Sequence, residues 1–147
     1  GVRRAAQALL VAALVGCADP SLPRESVELR DELVRAGQFA RSGTTIDLAV
    51  LFDADWDRVA ILTPYTTDDE ARRILGFDFA VTSTGMPANE EGVVLVLANG
   101  EAVAGWFYLT YASLYVAANQ PVVIRREEAR LRVTVDDAGN RSVDRVR

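Results

Sequence analysis

Three aspartates stand at alternate positions in Asp53-Ala54-Asp55-Trp56-Asp57, the spacing with which a calcium-binding loop begins. Such a loop needs a glycine at its sixth position for the sharp turn and a bidentate glutamate at its twelfth. Here Arg58 and Pro64 stand at those places. The segment therefore reads as a solvated turn between two strands, and neither metal nor other cofactor is expected. The chain contains no histidine and a single cysteine. That removes a zinc ligand set, and it removes serine–histidine and cysteine–histidine nucleophiles with it. Carboxylates remain, and glycoside hydrolysis needs only a pair of them. No such pair can be picked out by spacing, so no catalytic residue is assigned.

Two further groups have the residue types of a binding surface. Arg125, Arg126, Arg130 and Arg132 crowd into eight positions of a chain whose formal charge is −5. Arg130 and Arg132 alternate, so on a strand they share one face. They offer a dock for an anionic polymer or an acidic envelope protein, against the plainer reading of an exposed strand balanced by Glu127, Glu128 and Asp136. Trp106, Phe107, Tyr108, Tyr111 and Tyr115 form the second group. Core packing accounts for most of them, and Trp106 and Tyr108 are the candidates for partner contact, because Trp and Tyr are frequent interface anchors. Nucleic acid is not expected as a partner: the acidic balance of the chain argues against the general basic surface that displaces counterions from phosphate.

The lone cysteine has a different setting. Arg3 and Arg4 precede an apolar run, residues 5–16, that is too short to span a bilayer, as in a signal peptide. Leu14-Val15-Gly16-Cys17 then resembles the lipobox of bacterial lipoproteins. The resemblance implies cleavage before Cys17 and attachment of acyl chains such as palmitate to it. Several chains hold a protein to a membrane where one does not, at about 0.8 kcal/mol per buried CH₂. Residues 1–16 are thus expected to be a signal peptide, 17–24 a lipidated cysteine and tether, and 25–147 one domain. That domain would face the periplasm or the cell exterior. Without the two leader arginines the formal charge is −7.

The elements that must position these groups follow from periodicity and turn chemistry. Residues 23–40 read as a helix with Pro23 in its first turn. Residues 44–52 alternate Ile46, Leu48, Val50 and Phe52 and read as a strand, as do 57–63. Thr67 and Glu70 form a capping-box pattern ahead of a two-turn helix, and Gly76 suits its left-handed stop. Residues 79–92 read as a strand fragment and a polar loop. Val93 to Ala98, Asn99-Gly100 and the residues after them read as a hairpin with a type I′ turn. Strands are expected near 121–126 and 129–135, with a turn at residues 137–140 and a short returning strand. Together these give an α+β fold: one antiparallel sheet of five to seven strands with two helices on one face.

Trp56-Asp57-Arg58-Val59, Ile61, Pro64-Tyr65-Thr66 and Ile74-Leu75-Gly76 resemble a family of small uncharacterised bacterial lipoproteins with a WDxVxIxxPYT…LG core. "VVLVLANGEAV" resembles that family's second strand pair. The resemblance covers roughly residues 44–108 and departs at Ala60, where the family prefers an aromatic. It implies a fold and an envelope address and assigns no reaction. Trp56 and Tyr65 are expected to hold the fold together. The expected role is that of a lipid-anchored, non-catalytic binding or inhibitory module, with a small carboxylate enzyme acting on cell-wall polymer, or a purely structural assembly lipoprotein, as the alternatives.

Overall fold

Arg58–Leu62 and Gly92–Asn99 bury almost every residue, odd and even alike. A strand that is apolar on both faces must be covered on both, and this requirement organises the molecule. The computed structural model describes residues 22–86 and 91–147. The expected signal peptide, Cys17 and the start of the tether lie outside the described residues. The elements in chain order are α1 (Val27–Phe39), β1 (Thr45–Asp47), α2 (Leu48–Leu51), β2 (Arg58–Leu62), α3 (Asp68–Leu75), β3 (Gly92–Asn99), β4 (Ala102–Thr110), β5 (Tyr115–Val116), β6 (Val122–Arg125), β7 (Arg130–Val135) and β8 (Arg141–Arg145).

The fold is α+β and dominated by antiparallel pairing, but the strands form two sheets of four, ordered β4-β3-β2-β6 and β1-β7-β8-β5. This corrects the single sheet of five to seven strands. Val59, Ile61, Leu95 and Phe107 face Leu131, Val133 and Val143 of the second sheet across one core. Ala60, Leu62, Val94 and Val96 face the other way, into a second core closed by Ala71, Leu75, Phe79 and Met86. The helices therefore lie on opposite faces of the first sheet: Leu33 of α1 joins the core between the sheets, and Ala71 and Leu75 of α3 join the outer one.

Other local expectations are revised in the same physical terms. Residues 44–52 are a strand only as far as Asp47. Its carboxylate accepts the Ala49 N–H at 3.0 Å and starts the short helix α2. Leu48 and Phe52, four apart, are then both buried, while Val50 is 80 % exposed. Residues 81–84 form a 3₁₀ turn, because Asp68 takes both the N–H and the hydroxyl of Thr82 at 3.0 Å. The β3–β4 hairpin pairs Asn99 with Ala102, so Gly100 and Glu101 are the central residues. Only Gly100 has positive φ, at 59°. A type I′ turn needs two such residues; glycine alone at the first position is the type II′ pattern. A bulge follows, since Leu97 pairs with Gly105 but Ala98 with Val103.

Helix α1 begins at Val27, four residues later than expected, because Pro23 to Ser26 does something else. It runs along the open edge of β4. The Pro23 carbonyl accepts from the Trp106 indole at 2.6 Å, Ser26 N–H donates to the Trp106 carbonyl at 2.7 Å, and the Glu25 carboxylate accepts the Tyr108 N–H at 2.7 Å. A sheet edge that would otherwise template aggregation is thereby covered. Helix α3 matches its sequence signals: Thr67 Oγ1 accepts the Glu70 N–H at 3.1 Å, and Gly76 ends the helix at φ 87°.

Candidate binding cleft

Strand β4 ends at Thr110, and the next residues turn sharply. The Thr110 carbonyl accepts from the N–H groups of Ser113 and Leu114, and the Thr110 and Ser113 hydroxyls bond at 2.9 Å. Leu114 is buried and anchors the turn beneath α1, where Gly37 has no side chain; a Cβ there would stand 2.7 Å from a Leu114 methyl. The chain then enters β5, which pairs in parallel with β8, Tyr115 opposite Ser142. The result packs two tyrosine rings against each other. Tyr111 and Tyr115 have centroids 4.9 Å apart and planes inclined by 43°. Tyr115 is 48 % exposed and Tyr111 is partly buried.

The rings open into a cleft of about 610 Å³, inside the range of roughly 300–1,000 Å³ typical of small-molecule sites. Its opposite wall is the β7–β8 hairpin, with Thr134, Asn140, Arg141 and Ser142, and its lip is Gln38 at the end of α1. Gln38 is fixed there by donating to the Ser113 carbonyl at 2.6 Å. Arg141 Nη1 donates to the carbonyls of Ala40 at 2.5 Å and Gly37 at 3.1 Å. A cation at the carbonyl end of α1 complements the helix dipole.

One carboxylate, Asp136, lines the cleft. It accepts from the Asn140 N–H at 2.8 Å, the Ala138 N–H at 2.9 Å and the Asn140 side chain at 3.1 Å. These bonds, the Asn140 backbone first, hold its pKa below the usual carboxylate value. Asp136 is thus an ionised turn-former and lacks the raised pKa of a general acid. Burial, then the neighbouring Tyr115 and Tyr108, pushes the Tyr111 phenol up. The cleft can hold a ligand by stacking and hydrogen bonding, and its described lining residues include no nucleophile–base pair.

The residues singled out from the sequence do not converge. Arg125 is exposed and pairs with Glu127 at 2.7 Å. Arg126 turns inward, its guanidinium 4.7 Å above the Trp56 ring. Arg130 and Arg132 do share the exposed face of β7, opposite Asp47 and Thr45 of β1. Trp106 and Tyr108 lie on β4, where they hold the Pro23–Ser26 segment, and Trp106 is buried. Of the pair expected to hold the fold, Trp56 is buried but Tyr65 is 67 % exposed. The aspartates of residues 53–57 do not gather: Asp57 accepts the Gly100 N–H at 2.6 Å and pairs with Arg58 at 2.6 Å. Among the described residues no group of three or more His, Cys, Asp or Glu could hold a metal ion. Nor is any helix there long and apolar enough to cross a membrane.

What sequence reasoning missed is the far wall of the cleft, Thr134 to Ser142, together with Gln38. The available signal was the spacing of Tyr111 and Tyr115, four apart just beyond a strand end and divided by small residues. No protein-family model, no curated protein and no solved structure matches this chain.

Proposed function

We propose that this is a lipid-anchored, non-catalytic binding module of the cell envelope, held to the membrane through Cys17 and engaging its partner at the Tyr111–Tyr115 cleft. The observation that carries the reading is a packed tyrosine pair, Tyr111 partly buried and Tyr115 half-exposed, at a cleft of about 610 Å³. Tyrosine supplies rigid contact area with a polar tip at small entropic cost, which is why it recurs in binding surfaces. The lipobox-like Leu14-Val15-Gly16-Cys17 and the likeness of residues 44–108 to small uncharacterised lipoproteins support the same address.

A carboxylate glycosidase fits less well. It needs two facing carboxyl groups, one with a raised pKa, and among the described residues the cleft is lined by one, Asp136, held ionised. Two measurements test the proposal. Labelled fatty acid should be incorporated by the wild-type chain in a bacterial host and lost in Cys17→Ser; an unlabelled wild type removes the anchor. In the unanchored Cys17→Ser background, Tyr115→Ala should keep the parent Tm while abolishing retention of the protein on isolated envelope material; undiminished retention removes the cleft.

A further inference from the structure

We infer that the cleft takes a neutral saccharide segment, an inference that rests on the binding-module reading above. Charge decides the first part. Among the described residues the lining carries one cation, Arg141, and one anion, Asp136. Both are engaged by the protein: Arg141 on the Gly37 and Ala40 carbonyls, and Asp136 on its own turn. With the two charges cancelling, nothing in the cleft favours an anionic polymer over a neutral one. The free arginines that would, Arg130 and Arg132, stand on the outer face of β7 and do not line it.

The second part is the match of surfaces. A pyranose ring has a flat face of C–H bonds and a rim of hydroxyls. Tyrosine has the same layout, an apolar body with a polar edge. With centroids 4.9 Å apart and planes at 43° the two rings pack on one another, so Tyr111 backs Tyr115, and half-exposed Tyr115 offers its apolar body to a sugar ring. Around it, Gln38, Thr134, Asn140 and Ser142 bear amides and hydroxyls. Those groups both donate and accept, as sugar hydroxyls do. An apolar ligand would strip water from those of their polar atoms not already bonded within the protein, at a cost. An extended peptide would seek a strand edge; β5 occupies the β8 edge at Ser142 and Val143, and β5, the outer strand here, is only two residues long.

The test uses the full-length purified chain in detergent, titrated calorimetrically with neutral β-1,4-linked N-acetylglucosamine, glucose and mannose oligomers, with oligogalacturonate as the anionic counterpart and neutral peptides as a further arm. At least one neutral oligosaccharide should bind more tightly than oligogalacturonate, with an affinity indifferent to salt. Tyr115→Ala and Tyr111→Ala should each weaken it tenfold or more, while Tyr115→Phe, which keeps the stacking face, should stay within threefold. Tm separates lost contact from lost fold, and exposed Tyr115 is the variant that keeps the fold. Failure of every neutral saccharide overturns the inference, as does binding that ignores both tyrosines. Should peptides bind in a Tyr115-dependent way and saccharides not, the saccharide assignment falls and the binding-module reading stands.

Discussion

Arg126 and Arg125 are adjacent, identical in type and opposite in consequence. Arg126→Ala removes a guanidinium that lies 4.7 Å above the Trp56 ring and donates to the carbonyls of Ala54 at 2.9 Å, Trp56 at 3.2 Å and Ala49 at 3.2 Å. These bonds tie the segment from α2 to β2 onto the turn after β6. A half-desolvated cation–π contact contributes about 1 kcal/mol. Hydrogen bonds from a charged donor contribute about 1.5–3 kcal/mol each when their acceptors cannot be rehydrated. Three carbonyls share this donor and water can reach some of them, so the total is about 2–4 kcal/mol rather than the full sum. For a domain of this size about 4 °C of Tm accompanies each kcal/mol, so a fall of about 8–16 °C is expected. Arg125→Ala removes one exposed pair, with Glu127, and should cost under about 0.5 kcal/mol. Arg126→Lys keeps the charge without the planar fork and should recover only part of the loss. Thermal melts followed by circular dichroism decide the matter. If Arg126→Ala melts within two degrees of wild type, or if Arg125→Ala is equally damaging, the assignment of Arg126 as an internal tie is wrong.

Trp56→Ala should cost about 3–5 kcal/mol, as for any buried aromatic. Tyr65→Gly should stay within about 1 kcal/mol of wild type in urea titrations, because Tyr65 is exposed and sits at φ 72° in the Thr63–Thr66 turn, where glycine relieves strain that tyrosine bears. Gly92→Ala should destabilise by about 1–3 kcal/mol, because its Cβ would lie 2.1 Å from the Leu109 carbonyl oxygen, which is backbone and cannot swing aside. The Gly100 N–H, and then Arg58, lower the pKa of Asp57 below its ordinary 3.8. A depressed folded pKa means that this stabilisation is present above the ordinary value and is lost as pH falls through the folded one. The stability gap between wild type and Asp57→Asn should therefore close in strongly acidic urea titrations, and a gap that persists there contradicts the assignment. Millimolar calcium should leave Tm unchanged, since ligand binding to the folded state would raise it.

Where local physics is decisive, the elements were legible. Helix α3 carries its cap at Thr67 and its stop at Gly76, and both work as their chemistry dictates. The apolar run of β3 and the glycine after it specify a central strand and a tight hairpin, although the turn's type depended on which residue paired last. Residues 44–52 show the limit. Ile46, Leu48, Val50 and Phe52 alternate as a strand would, yet Leu48 and Phe52 also fit one helical face. The choice falls to Asp47, whose carboxylate caps Ala49, and to burial space available for Phe52 against Phe107 at 6.0 Å, 71° edge to face. No window of sequence contains that second partner. The number of sheets was hidden for a related reason. Apolar residues on both faces of β2 state that two covers exist, but not that one of them is a sheet.

The aromatic stretch after Gly105 makes the same point about function. In sequence Trp106, Phe107, Tyr108, Tyr111 and Tyr115 look like one patch. Strand alternation divides the first three: Phe107 enters the core between the sheets, while Trp106 and Tyr108 face the outer core and hold the Pro23–Ser26 segment against the β4 edge. Chain direction divides the rest, since the turn at Thr110 carries Tyr111 and Tyr115 off the sheet toward a wall built from residues 134–142. The parallel pairing of β5 with β8 brings those segments together. A parallel pair is closed by a long connection and leaves no turn signature between its strands. The cleft therefore depends on a long-range pairing that turn chemistry could not announce, as it could not announce β1 with β7 or β2 with β6, and Tyr115 stands exposed where packing has hidden Trp106 and Phe107.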